Sequence, residues 1–147
     1  MQKQKFKSAV LLCAAAALAG AFVPASASAE SPAKAPVVAV DCFSKPQIRP
    51  GDFLLACGDG NNRLTALQWS HWGRTSAVGS GLDAVNDCLP YCAAGKFHTF
   101  PVTVRLDRPE TWQKNPGLEH FTRLRLTYTD NRPPQLQQRE VTYKLWG

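Results

Sequence analysis

The chain has 147 residues, 44% of them hydrophobic, and carries 17 Lys and Arg against 11 Asp and Glu, a formal net charge of +6. That hydrophobic share excludes a disordered chain, and the length suits one small domain rather than several. The charge does not describe a generally cationic protein, because Lys3, Lys5 and Lys7 supply half of it within the first seven residues.

Those three lysines precede an apolar run over residues 9–23 and the small-x-small triplet Ala27-Ser28-Ala29. The pattern reads as a secretory signal peptide over residues 1–29, with cleavage after Ala29. The apolar run is about 15 residues, too short for a helix that spans a bilayer, which needs about 20. Cys13 lies inside the run after Leu12, where lipidation would require a small residue, so it leaves with the leader. The exported part then has no membrane span and keeps 14 basic groups against 11 acidic ones. Residues 30–95 are close to neutral; residues 96–147 carry nine basic groups against five acidic ones, so any electrostatic partner belongs to the second half.

Residues 30–36 (Glu-Ser-Pro-Ala-Lys-Ala-Pro) read as a flexible linker. Residues 37–147 read as a single secreted β domain. Residues 37–43 and 53–57 are short β-prone runs separated by Pro46 and Pro50-Gly51. Asp59-Gly60-Asn61-Asn62 is a turn. A strand over 64–72 follows, and strict alternation along it would send Trp69 and Trp72 to opposite faces. Residues 75–85, rich in Gly, Ser and Ala, read as a thin strand or a close-packed edge. Phe100, Val102, Val104 and Leu106 alternate with polar residues, as do Thr122, Leu124, Leu126 and Tyr128, then Val141, Tyr143 and Leu145. These are half-buried strands of an antiparallel sheet, joined by turns over 109–118 and 130–139. Pro101 lacks an N–H and belongs at an edge or a strand start. The fold class is all-β: a small antiparallel β-sandwich or barrel of six to seven strands with two disulfides.

Cys42, Cys57, Cys88 and Cys92 form an even set in an exported chain, which favours disulfides over a zinc set with a histidine. A Cys88–Cys92 bridge would close only a short loop, so each of the two is expected to pair with one of Cys42 and Cys57. Trp72, if exposed, would join Tyr91 in an aromatic platform for sugar rings or a partner. Arg105, Arg123 and Arg125 fall on the solvent face of adjacent strands with Lys144 nearby, a basic face suited to anionic polymers. His98 and His120 start successive strands and so lie at opposite ends of an antiparallel pair. Asp59, Asn61, Asp83, Asn86 and Asp87 read as turn formers rather than calcium ligands. There is no G-x-S-x-G, no phosphate-binding glycine loop and no metal motif, so no cofactor or metal is predicted.

Three blocks carry a resemblance: Ala56-Cys57-Gly58-Asp59-Gly60-Asn61 with Leu67-Gln68-Trp69-Ser70-His71-Trp72-Gly73; Asn86-Asp87-Cys88-Leu89-Pro90-Tyr91-Cys92-Ala93-Ala94-Gly95 with Phe97-His98-Thr99-Phe100-Pro101-Val102; and Phe121-Thr122-Arg123-Leu124. In this order they resemble a group of small secreted actinobacterial proteins without an established activity. The resemblance implies secretion and a compact disulfide domain, not a reaction. The functional expectation is a non-enzymatic extracellular binding or cell-surface protein whose partner is an anionic cell-wall polymer or a glycan, with nucleic acid disfavoured. The alternatives are a small secreted hydrolase or nuclease using His98 and the strand arginines, and a secreted protease inhibitor.

Overall fold

The structure, a computed structural model, describes residues 34–146. The predicted signal peptide and residues 30–33 of the predicted linker lie outside the described residues; Lys34, Ala35 and Pro36 are exposed and irregular.

Alternating apolar residues with turn-rich punctuation produce one six-stranded antiparallel sheet in sequence order. Its strands are β3 (Phe53–Leu54), β4 (Asn62–Trp72), β5 (Ser76–Asn86), β6 (Phe97–Thr111), β7 (Glu119–Tyr128) and β8 (Glu140–Lys144). A small second sheet pairs β1 (Ala39–Val40) with β2 (Pro46–Gln47). The large sheet curls into a half-barrel, and its two margins meet where Phe53 stacks on Trp146, ring centroids 6.3 Å apart. One face is thereby wrapped around Leu64, Leu67, Val104, Leu106, Phe121, Leu124, Leu126 and Tyr128. No helix among the described residues is long and apolar enough to cross a membrane.

Residues 37–40 close one end of the half-barrel. Val38 donates its N–H to the Glu119 carbonyl at 2.9 Å and accepts from the Phe121 N–H at 3.0 Å, a parallel bridge onto the start of β7. Arg74 and Lys34 both pair with Glu119, at 2.6 and 3.1 Å, which anchors the entry of this segment.

Strict alternation fails on β4. Between Thr65 and Gln68, and again between Trp69 and His71, β4 uses one residue more than β5 does. The first of these bulges carries Ala66 in the left-handed conformation, φ 52°. Each bulge shifts the phase by one residue, so Leu64, Leu67, Trp69 and Trp72 all turn inward. The two tryptophans therefore meet edge to face, centroids 4.7 Å apart, instead of occupying opposite faces.

The Gly-rich segment is not an edge: β5 lies third of six, paired along its whole length with β6. Pro101 likewise sits in an interior strand, opposite Leu82. In a strand the N and the carbonyl of one residue point to the same neighbour. The Pro101 carbonyl accepts from the Thr129 N–H at 3.1 Å, just past the end of β7, so the missing donor falls where the ladder has already stopped.

Two disulfides are present, and their pairing differs from the expectation. Cys42 bonds Cys57 and Cys88 bonds Cys92. Residues 41–47 fold back on Asp41, whose carboxylate accepts from the Phe43 and Lys45 N–H groups at 2.8 Å, and this turn delivers Cys42 to the β3 margin. Cys88 and Cys92 flank a turn whose ends are tied by Asn86: its amide donates to the Cys92 carbonyl at 2.8 Å, and its carbonyl oxygen accepts from the Cys88 N–H at 3.0 Å. The two thiols are thus held together locally and far along the chain from the first pair.

Candidate functional site

The outer face of β6, β7 and β8 places the predicted arginines side by side. Arg105 stands opposite Arg125, and Arg123 stands between Asp107 and Lys144 on the flanking strands. Asp107 partly neutralises the row: its carboxylate accepts from Arg123 at 2.5 and 2.8 Å and from Arg105 at 3.2 Å. The Arg123 guanidinium, together with Arg105, holds the Asp107 carboxyl below the usual range despite its burial. Glu140 approaches Arg125 at 3.5 Å. Lys144 has no acidic partner among the described residues.

The basic face runs into a groove of about 670 Å³ built by the end of β6, the start of β7 and the end of β8. Arg108, Arg123 and Lys144 line it, with Glu110, His120 and Trp146. Arg108 adopts the left-handed conformation, φ 54°, and around it the inward face passes from Leu106 and Leu124 to Phe121. That phase change is what brings Glu110 and His120, directly paired across β6 and β7, to the groove. His120 is only 6% exposed and its Nδ1 has no partner among the described residues. Burial lowers its pKa against the opposing pull of Glu110, so the ring is neutral near pH 7 and the positive charge of the groove comes from the arginines and lysine.

His98 is elsewhere. It precedes Arg105 on the same strand by seven residues, roughly 23 Å at about 3.3 Å per residue, so the predicted combination of His98 with the strand arginines is not assembled. Its Nε2 lies 2.9 Å from Asp87 Oδ2. Tyr91 stands on the Cys88–Cys92 turn and is exposed, as is Leu89. A second groove of about 950 Å³ opens here, between residues 85–89 and the loop over 131–135, and His98 and Asp87 line it.

Trp72 belongs to neither surface. Its Nε1 donates to the Val37 carbonyl at 2.8 Å, and its ring packs edge-on against Trp69 and Phe121. Residues 37–40 and these rings remove the exposure that a platform requires, so Trp72 and Tyr91 do not form one aromatic surface. Among the described residues no group of three or more His, Cys, Asp or Glu side chains is placed to hold a metal ion. Asp59 caps its own turn through the Asn61 N–H at 3.0 Å.

Arg108 and Glu110 are charged groove residues that the sequence reading did not place here, and His120, read only as a strand-start histidine, joins them. Pro109 reads as a turn residue, yet β6 continues to Thr111. The alternation of β7 continued back to Glu119 would have put His120 opposite Glu110, had the turn been confined to 112–118.

Compared with known proteins, the chain matches no family model, no curated protein and no solved structure.

Proposed function

We propose that the protein is an exported binding domain for an anionic cell-wall polymer, held along the outer face of β6 to β8. The observation that carries this reading is the opening of Arg108, Arg123 and Lys144 onto one groove continuous with the Arg105–Arg125 pair. Cations on adjacent strands stand about 5 Å apart, and those two residues apart on one strand about 7 Å apart. A flexible chain that repeats a negative group at comparable spacing meets several of them at once. The excess of charge is local, so binding is electrostatic and salt-sensitive rather than a general stickiness. Two disulfides fit an oxidising environment, and the leader-like start and the resemblance to small secreted actinobacterial proteins support export to the cell surface.

The test is retention of the purified protein on isolated cell walls, with and without extraction of their anionic polymer, across a salt series. Retention at low salt that falls as salt rises, and disappears from extracted walls, is the expected result. Arg105→Ala and Lys144→Ala should each weaken it by up to about five-fold, since an exposed ion pair is worth at most about 1 kcal/mol. No retention at low salt, or equal retention by extracted walls, overturns the reading.

A further inference from the structure

The second groove has a different chemistry from the basic face. Asp87 is fixed from three sides: Oδ1 accepts from the Leu89 N–H at 3.0 Å and the Lys96 N–H at 2.9 Å, while Oδ2 meets His98 Nε2 at 2.9 Å. The His98 bond and the two backbone donors hold the Asp87 carboxyl well below the usual range, lowered to about 2. An ionised Asp87 keeps the proton on Nε2, which leaves Nδ1, without a partner among the described residues, as the basic atom of a carboxylate-oriented imidazole.

Val85, Leu89, Phe100 and two prolines make the groove largely apolar. Asn86, Asn131, Arg132 and Gln135 are its polar members beside the dyad, and the Asn86 amide is already committed to Asn61 and the Cys92 carbonyl. Arg132 spends Nε on the Leu136 carbonyl at 2.9 Å and Nη2 on the Gln137 carbonyl at 3.3 Å, which fixes the guanidinium in place. Asp87 and Arg132 balance in charge, so the groove suits a neutral ligand, unlike the basic face. No serine, threonine or cysteine lines it. With no side-chain hydroxyl or thiol in the lining, the nucleophile is either the His98 imidazole itself or water.

We propose that this groove is a second, hydrolytic site, in which the Asp87–His98 dyad activates water against a neutral carboxylic ester with an apolar acyl group. His98 Nδ1 takes a proton from water as the water oxygen bonds to the ester carbonyl carbon. The carbonyl electron pair moves onto oxygen, where Arg132 and the Asn131 and Gln135 amides are the available donors. Collapse of that oxyanion breaks the bond to the alkoxide, which takes the proton from His98 Nδ1. The products are the acid and the alcohol, and the ring returns to its neutral form.

The experiment is turnover of p-nitrophenyl butyrate by the full chain, compared with free imidazole at equal concentration. Turnover at least about 100-fold above imidazole is expected. His98→Ala and His98→Gln should both lose it at unchanged melting temperature; Gln keeps a donor for Asp87 but no base. Asp87→Asn retains an acceptor for the Leu89 and Lys96 amides but reverses the polarity presented to Nε2, so it should lower kcat about 100-fold or more with little change in KM, the signature of a wrong tautomer rather than a lost fold. Mass spectrometry during turnover should show no acylated protein. Turnover no better than imidazole, turnover that survives in either folded His98 variant, or a covalent acyl adduct each overturns the proposal.

Discussion

Asp83 has no accessible surface, yet it is a carboxylic acid in the middle of a sheet. Tyr128 Oη donates to it at 2.5 Å and Asn62 Nδ2 at 2.7 Å. Burial raises its pKa, and these two hydrogen bonds pull the other way without cancelling that effect. The same contact, with burial first, pushes the Tyr128 phenol well above its ordinary range, so Tyr128 remains a donor throughout. A carboxyl with a raised folded-state pKa binds its proton more tightly folded than unfolded. Its stabilising contribution is therefore complete below about pH 4 and is lost as pH rises through the raised value. Asp83→Asn is neutral at every pH and keeps an acceptor for Asn62, while Tyr128 Oη can accept from the new amide. Melting temperatures of the two proteins should agree most closely near pH 4, and the variant should gain over wild type as pH rises to 8. A variant whose disadvantage grows with pH would show that the hydrogen bonds to the ionised form outweigh burial.

At the scale of elements, β4 and β5 are held together by absence of side chains. A Cβ on Gly79 would lie 2.6 Å from the Gln68 carbonyl oxygen and 3.0 Å from the Trp69 ring. Gly79 faces Trp69 at the second bulge, where β4 crowds its partner. Gly79→Ala therefore has to move backbone or displace Trp69 and, through the edge contact, Trp72. Overpacking of this kind costs about 1–3 kcal/mol. Chemical denaturation should show that loss, and tryptophan fluorescence should shift with it; an unchanged midpoint would mean that the bulge relaxes freely. The same bulges explain how much of the fold was legible beforehand. Strands over 64–72, 100–106, 122–128 and 141–145 follow from β-prone runs, alternation and turn residues, because a period of two is written directly in the chain; residues 109–111, read as part of a turn, are strand. The inward turn of both tryptophans was not legible, since Ala66 carries no side-chain signal for a left-handed backbone. The glycines at 79 and 81 were visible as a thin strand; that they accommodate a neighbour's bulges depends on pairing that no local window contains. The candidate groove was hidden for a related reason: its members come from β6, β7 and β8, and the phase change at Arg108 decides which of them face it.

At the scale of the whole molecule, the two disulfides do unequal work. The six-stranded sheet is open, and its first strand is only two residues long. The segment over residues 37–57 covers one end of the core, bridges to β7 through Val38 and supplies Phe53 to the stack with Trp146. Cys42–Cys57 closes 15 residues of this segment on itself, whereas Cys88–Cys92 closes four within one hairpin connection. Constraining the unfolded chain favours the longer loop, about 3 kcal/mol against about 2 kcal/mol. The difference widens in the folded state, because without the first bridge the 41–47 turn loses its covalent tie to the two-residue strand β3, which then rests on its pairing with Leu64 and Arg63 and on the Phe53–Trp146 stack, while the Cys88–Cys92 turn retains the hydrogen bonds of Asn86 and Asp87. Cys42→Ser with Cys57→Ser should lower the melting temperature by roughly 10–15 °C. It should also raise amide exchange in β1, β3 and the start of β7 together, since Val38 ties them. Cys88→Ser with Cys92→Ser should melt closer to wild type and confine its exchange to residues 87–97. The reverse order of melting would mean that the margin of the sheet is held by its apolar contacts alone and that the first bridge is incidental to the half-barrel.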